Sequence, residues 1–134
     1  MARIYYCLDC CYGDVMSSAN KAKGTRFENE VVELLAGMHF DVQRLPRTGT
    51  KDEGDVEVRL RECRLIIEAK NHKGFALADW LKQAEVEADN RESKLGNVAC
   101  VPAVFAKRRG KSAAGSYVVM DATEFLLLLK MVGA

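Results

Sequence analysis

No apolar run in this chain approaches the roughly 20 residues needed to cross a bilayer; near the C-terminus the longest strictly apolar stretch is Phe125 to Leu129. The N-terminus also lacks the basic-then-apolar plan of a secretion signal. Both absences lead to the expectation of a soluble intracellular protein with no membrane partner. An excess of either charge is missing: 20 Lys and Arg stand against 19 Asp and Glu, a formal net charge of +1. Affinity for nucleic acid must therefore come from local patches. The five cysteines, Cys7, Cys10, Cys11, Cys63 and Cys100, are odd in number, and without an export signal they are expected as free thiols rather than a disulfide framework. Cys7 and Cys10 have C-x-x-C zinc spacing, but no second C-x-x-C or H-x-x-x-H pair follows to complete a four-ligand site. Repeats and low-complexity tracts are absent as well.

What is present suits one compact domain with a real core, since 134 residues at 49% hydrophobic content leave little room for a second. Residues 1 to 20 read as an N-terminal arm or an upstream extension, because Met16-Ser17-Ser18 resembles a fresh start, and residues 21 to 134 read as the domain. An exposed Cys10 or Cys11 in that arm is expected to crosslink two copies in air. Between Lys21 and Met38, Phe27, Val31, Leu34, Leu35 and Met38 recur at helical spacing. A short strand over Phe40 to Leu45 stops at Pro46. The polar, glycine-punctuated stretch from Arg47 to Gly54 is a loop.

The run from Asp55 to Leu60 then alternates as a half-buried strand, with Val56, Val58 and Leu60 on one face and Asp55, Glu57 and Arg59 on the other. Leu65 to Lys70 pairs with it as an antiparallel hairpin. A helix over Leu77 to Arg91 follows, marked by Leu77, Leu81, Ala84 and Ala88. Strands over Val98 to Ala106 and Ser116 to Met120 come next, and a last helix is capped by Asp121 with Glu124 three residues later. This order predicts an α/β domain with a mixed β-sheet flanked by helices.

The informative residues are ionisable ones in places that folding alone does not explain. Glu68 and Lys70, two residues apart at the end of an apolar strand, project from the same face, while Leu65, Ile67 and Ala69 face the other way. Asp55, beginning the partner strand, can approach Glu68, and two clustered carboxylates repel unless a proton or cation lies between them. Oxygen ligands of this kind suit Mg²⁺ or Mn²⁺, with the Ala69 carbonyl as a further ligand. Such a site suits phosphodiester hydrolysis. Lys70 then either orients or deprotonates the attacking water, or offsets transition-state charge.

Gly54-Asp55, followed after twelve intervening residues by Glu68-Ala69-Lys70, resembles the D…(D/E)-x-K signature of the PD-(D/E)xK nuclease superfamily, with Gly54 in place of the usual Pro. Lys23-Gly24-Thr25-Arg26-Phe27-Glu28 resembles the K-G-x-x-F-E opening of the first helix in its Holliday junction resolvases. Arg47-Thr48-Gly49 is similar to the R-x-(S/T)-G loop of the archaeal-type and phage resolvases, and Gln83 to the Gln on the helix after the E-x-K strand. The resemblance covers residues 21 to 107. It implies a restriction-endonuclease-like core and a Mg²⁺- or Mn²⁺-dependent, structure-selective DNA endonuclease that resolves four-way junctions in recombination or repair. Asp55, Glu68 and Glu28 would bind metal, Lys70 would serve the water, and Gln83 with Thr48 would shape the site. A flap, repair or restriction-like nuclease, and a non-catalytic DNA-binding module, are the alternatives. Small resolvases of this kind are often virus-encoded, which would place the protein in a host cytoplasm.

Several of these residues also admit plainer roles. Glu28 suits a helix dipole partner, Gln83 a surface residue, and His39 and His72 surface or satisfied positions. Asp52, Glu53 and Glu57 are expected to be solvated. Lys107, Arg108, Arg109 and Lys111 form either a solvated turn or a phosphate clamp. Lys21, Lys23, Arg26, Arg44, Arg47 and Lys51 would extend that track around the presumed site, reading backbone rather than bases. The last helix, apolar nearly all round, must be covered, either by the sheet or by a second copy in a homodimer that sets two sites for symmetric cuts across branched DNA.

Overall fold

The computed structural model describes residues 14–47 and 51–133. Cys7, Cys10, Cys11, the first part of the expected arm and the loop residue Thr48 lie outside the described residues. The elements are α1 (Asp14–Gly37), β1 (Asp41–Arg44), β2 (Val56–Arg59), β3 (Cys63–Lys70), α2 (Leu77–Leu95), β4 (Ala99–Ala106), β5 (Tyr117–Val119) and α3 (Ala122–Met131), with a 3-10 turn at Ala113–Gly115. This is the expected α/β domain with a mixed sheet flanked by helices. Helix α1 begins at Asp14 rather than Lys21, taking in Met16 to Ser18. No proline interrupts that stretch, and Ala19, Lys21 and Ala22 are strong helix formers.

The five strands lie in chain order, β1-β2-β3-β4-β5. All neighbours are antiparallel except β3 and β4, which run parallel from Cys63↔Ala99 to Lys70↔Ala106. A parallel pair needs a crossover, and α2 supplies it. Phe27 and Val31 of α1 pack on one face of the sheet against Val56, Val58, Ile67 and Phe105. On the other face, Trp80 and Ala84 of α2 meet Val104 and Ala106, and Ala88 meets Ile66 and Cys100. Covered on both sides, β4 is apolar on both, as buried parallel strands are, whereas the face of β3 toward α2 carries Arg64, Glu68 and Lys70.

That double cover corrects the reading of β2 as half-buried. Glu57 has no exposed surface, and Glu53 and Asp55 are also buried. Glu53 and Glu57, expected to be solvated, lie under the last turns of α2, where Arg91 meets both. Asp52 is exposed, as expected.

Helix α3 is capped as its sequence suggests, with the Asp121 carboxylate accepting from the Thr123 N–H at 2.9 Å. None of its residues is buried, and Phe125, Leu126, Leu127 and Leu129 are exposed. The sheet therefore does not cover this helix. Cys63 and Cys100 are free, buried thiols. No helix among the described residues is long and apolar enough to cross a membrane.

Candidate active site

Helix α2 faces the sheet with a mixed stripe. Trp80, Ala84 and Ala88 supply apolar contacts, and Gln83, Glu87 and Arg91, at i, i+4 and i+8, supply polar ones. The strand alternation of β3 turns Glu68 and Lys70 toward that stripe. Lys70 Nζ lies 2.9 Å from Glu68 Oε2 and donates to Gln83 Oε1 at 2.9 Å. The Gln83 amide donates at 2.9 Å to Glu68 Oε2 and again at 2.9 Å to Glu87 Oε2. Gln83 is half-buried, its amide holding the lysine with one end and two carboxylates with the other.

Asp55 is set in place by its backbone. Its N–H donates to the Ile67 carbonyl at 3.0 Å, and its own carbonyl accepts from Leu45 N–H at 2.9 Å. Asp55 Oδ2 accepts from the Ala69 N–H at 2.9 Å, so Ala69 enters the site through its amide. Gly54 makes this approach possible. It sits at φ 100°, and a Cβ there would meet Ile66 Cγ2 at 2.6 Å. Proline, fixed near φ −65°, does not fit this turn.

The buried Glu68 carboxylate lies close enough to those of Asp55 and Glu87 for the three to interact. Carboxylates are acceptors only, so such contacts require a shared proton or a cation. Burial, then the charges of Glu68 and Glu28, raises the Asp55 carboxyl well above its ordinary range. Burial and the neighbouring Glu87 push Glu68 up to about 8 against the pull of Lys70. Burial pushes Glu87 to about 7, with the Asp55 charge acting in the same direction. Glu87 Oε1 is buried without a hydrogen-bond donor.

Glu87 escaped the sequence reading because α2 is rich in acids, Glu85, Asp89 and Glu92 among them, and one more looks like surface. Its spacing of four residues from Gln83 was the available signal. Among the described residues no three Asp, Glu, His or Cys side chains already form a metal ligand set. The donor-poor Glu87 Oε1 and the raised carboxyls nonetheless fit a hard divalent cation bound by Asp55 and Glu68 beside Glu87.

Glu28, expected among the ligands, is held instead by two guanidiniums. Arg44 donates to its Oε1, and Arg47 donates to its Oε2 at 3.1 Å. Arg47 also lies 3.6 Å from Asp55 Oδ1, so it bridges the two acids. These pairs turn Arg44 and Arg47 toward the site carboxylates. Of the remaining basic residues, Arg26, Lys51, Arg109 and Lys111 are exposed and Lys23 is half-buried. Lys107 donates to the Lys111 carbonyl at 2.7 Å, and Arg108 lies over the Tyr117 ring.

The described residues thus define an α/β domain with a buried acid, lysine and glutamine cluster at the C-terminal end of a central strand. No protein-family model matches the sequence, and no curated protein matches it. Among solved structures the chain is similar to Hjc of Archaeoglobus fulgidus, a Holliday junction resolvase from an archaeal hyperthermophile, at 19% identity and a TM-score of 0.48, over 82% of this chain and 100% of that one.

Proposed function

We propose that the protein is a Mg²⁺- or Mn²⁺-dependent DNA endonuclease that hydrolyses phosphodiester bonds in branched DNA, most like the Holliday junction resolvases. The observation that carries this reading is the convergence of Asp55, Glu68, Lys70 and Gln83 with the donor-poor Glu87, a buried cluster in excess of negative charge that a divalent cation would balance. The cation, when bound, supplies Lewis-acid polarisation of the phosphoryl group and a lowered pKa for water. Asp55 and Glu68 hold it. Gln83 fixes the Lys70 ammonium against Glu68, keeping one fixed positive charge in the site for the pentacoordinate phosphoryl group and its attacking water. Arg47, exchanging Glu28 and Asp55 for a phosphate, would draw the strand in.

The uncovered apolar residues of α3 support the homodimer in this reading, since a second copy would bury Phe125, Leu126 and Leu129. One observation favours a second reading, a metal-free DNA-binding module: the Arg47 guanidinium already pairs with both Glu28 and Asp55. A gel comparing labelled four-way junction, flap, duplex and single strand with Mg²⁺ or Mn²⁺ separates the two. The nuclease reading expects cutting near the branch. Binding without cutting in either metal supports the module, and cutting of the flap alone supports a repair nuclease.

A further inference from the structure

The row of the sheet that carries Lys70 continues into an aromatic surface that the proposed chemistry does not use. Lys70 pairs with Ala106, and Ala106 pairs with Tyr117. The three share one face, and Tyr117 lies roughly 10 Å from the lysine, two strand spacings away. Rings from the segment between β3 and α2 gather over that row. Phe75 meets Tyr117 edge-on, with centroids 5.8 Å apart at 84°, and Phe75 lies 5.9 Å from Trp80. Trp80 is the buried base of the group at 8% exposure, whereas Phe75 and Tyr117 are 45% and 48% exposed. The Arg108 guanidinium sits 4.7 Å from the Tyr117 ring centroid.

Two half-exposed rings with a stacked guanidinium offer what an unpaired nucleobase binds, a π-face and a positive charge for the phosphate beside it. The Arg108 guanidinium over the Tyr117 ring favours a polyanion over an apolar protein, whose docking would desolvate that charge. A base stacked inside a duplex has no free face to offer. At the 3.4 Å rise of a stacked strand, about three nucleotides span the distance to Lys70.

We propose that Phe75 and Tyr117, with Arg108, form a stacking platform for an unpaired DNA base a few nucleotides from the phosphate at Lys70. The proposal rests on the nuclease reading for its orientation. It assigns the substrate as a strand whose base is unstacked, at a branch point or flap, in preference to continuous duplex.

Trp80 is the single tryptophan of the chain and reports on the platform directly. The full chain is titrated in EDTA with oligothymidylate and with duplex of equal length, following Trp80 fluorescence. A junction carrying 2-aminopurine near its branch is then bound, following the probe. Single strand is expected to change Trp80 emission and duplex to leave it unaltered. Phe75→Ala and Tyr117→Ala are each expected to weaken single-strand binding about tenfold, with Phe75→Tyr restoring it and Phe75→Leu behaving like Phe75→Ala. Thermal melts of these surface variants verify that the fold is kept. Wild-type affinity in Phe75→Leu, or in the double alanine variant, overturns the platform. If that double variant still cuts junctions at the wild-type rate, the nuclease reading survives without the platform. Ring-dependent binding by a chain that cuts nothing in Mg²⁺ or Mn²⁺ keeps the platform and removes the nuclease.

Discussion

Arg91 donates from Nε to Glu57 Oε1 at 2.7 Å, and Glu57 has no exposed surface. The same guanidinium donates to Glu53 Oε1 at 2.8 Å. Glu53 and Glu57 stand two residues to either side of Asp55, so α2 braces the chain on both flanks of that aspartate. Arg91→Ala removes the shortest contact of buried Glu57 while leaving it Gln43 and Arg59, and is expected to cost about 1–3 kcal/mol in urea unfolding. Arg91→Lys keeps the charge but loses the fork, and its loss should be smaller. A wild-type midpoint for Arg91→Ala contradicts the brace.

Gly54→Ala tests the turn that delivers Asp55. A methyl group at φ 100° and 2.6 Å from Ile66 Cγ2 forces either the turn or the isoleucine to move. A loss of about 1–3 kcal/mol is expected, together with a larger fall in cleavage than the stability change explains, because the displaced residue is followed directly by Asp55. Unchanged cleavage at full stability shows that the turn is dispensable.

Stability without divalent metal should depend on pH through the acid cluster. Glu68 and Glu87 bind protons more tightly folded than unfolded, at about 8 and about 7 against an ordinary 4.5. Their stabilising contribution is therefore complete below 4.5 and is lost as pH rises toward 8. Glu57 works the other way, since burial is outweighed by Arg91, Gln43 and Arg59 together and its pKa is lowered, so its contribution fades only in acid. Melting temperature in EDTA should fall between about pH 5 and pH 8, and Mn²⁺ at the alkaline end should restore it. A curve rising across that window contradicts the assigned protonation.

Glu87→Gln retains the shape and one hydrogen bond of the side chain but removes its charge. Metal-free stability at about pH 8 should rise. Affinity for Mn²⁺ by calorimetric titration should weaken about 10- to 100-fold, as for other groups that support metal ligands. Unaltered Mn²⁺ affinity places Glu87 outside the cation's environment.

Much of the element order was legible in the chain, because Phe27, Val31 and the alternation of Val56 and Val58 carry their periods plainly. The pairing of Glu68 with Lys70 on one face followed from strand geometry alone. The burial of Glu57 did not, since a carboxylate on an alternating strand looks solvated until a second helix lays an arginine over it. Glu87 was hidden by its acidic neighbours for a related reason: sequence records the charge of a helix but not which charges face the sheet. The bridge from Glu28 through Arg47 to Asp55 joins residues from a helix, a loop and a strand edge, and only the folded chain sets their distances.

The most direct test of the account compares wild type with Asp55→Asn on a labelled four-way junction, measuring binding in EDTA and cutting in Mg²⁺ or Mn²⁺. Wild type is expected to cut only with metal, and Asp55→Asn to bind equally while cutting at least about 100-fold more slowly. A wild-type chain inert in both metals, or an Asp55→Asn chain that cuts as fast as wild type, contradicts it.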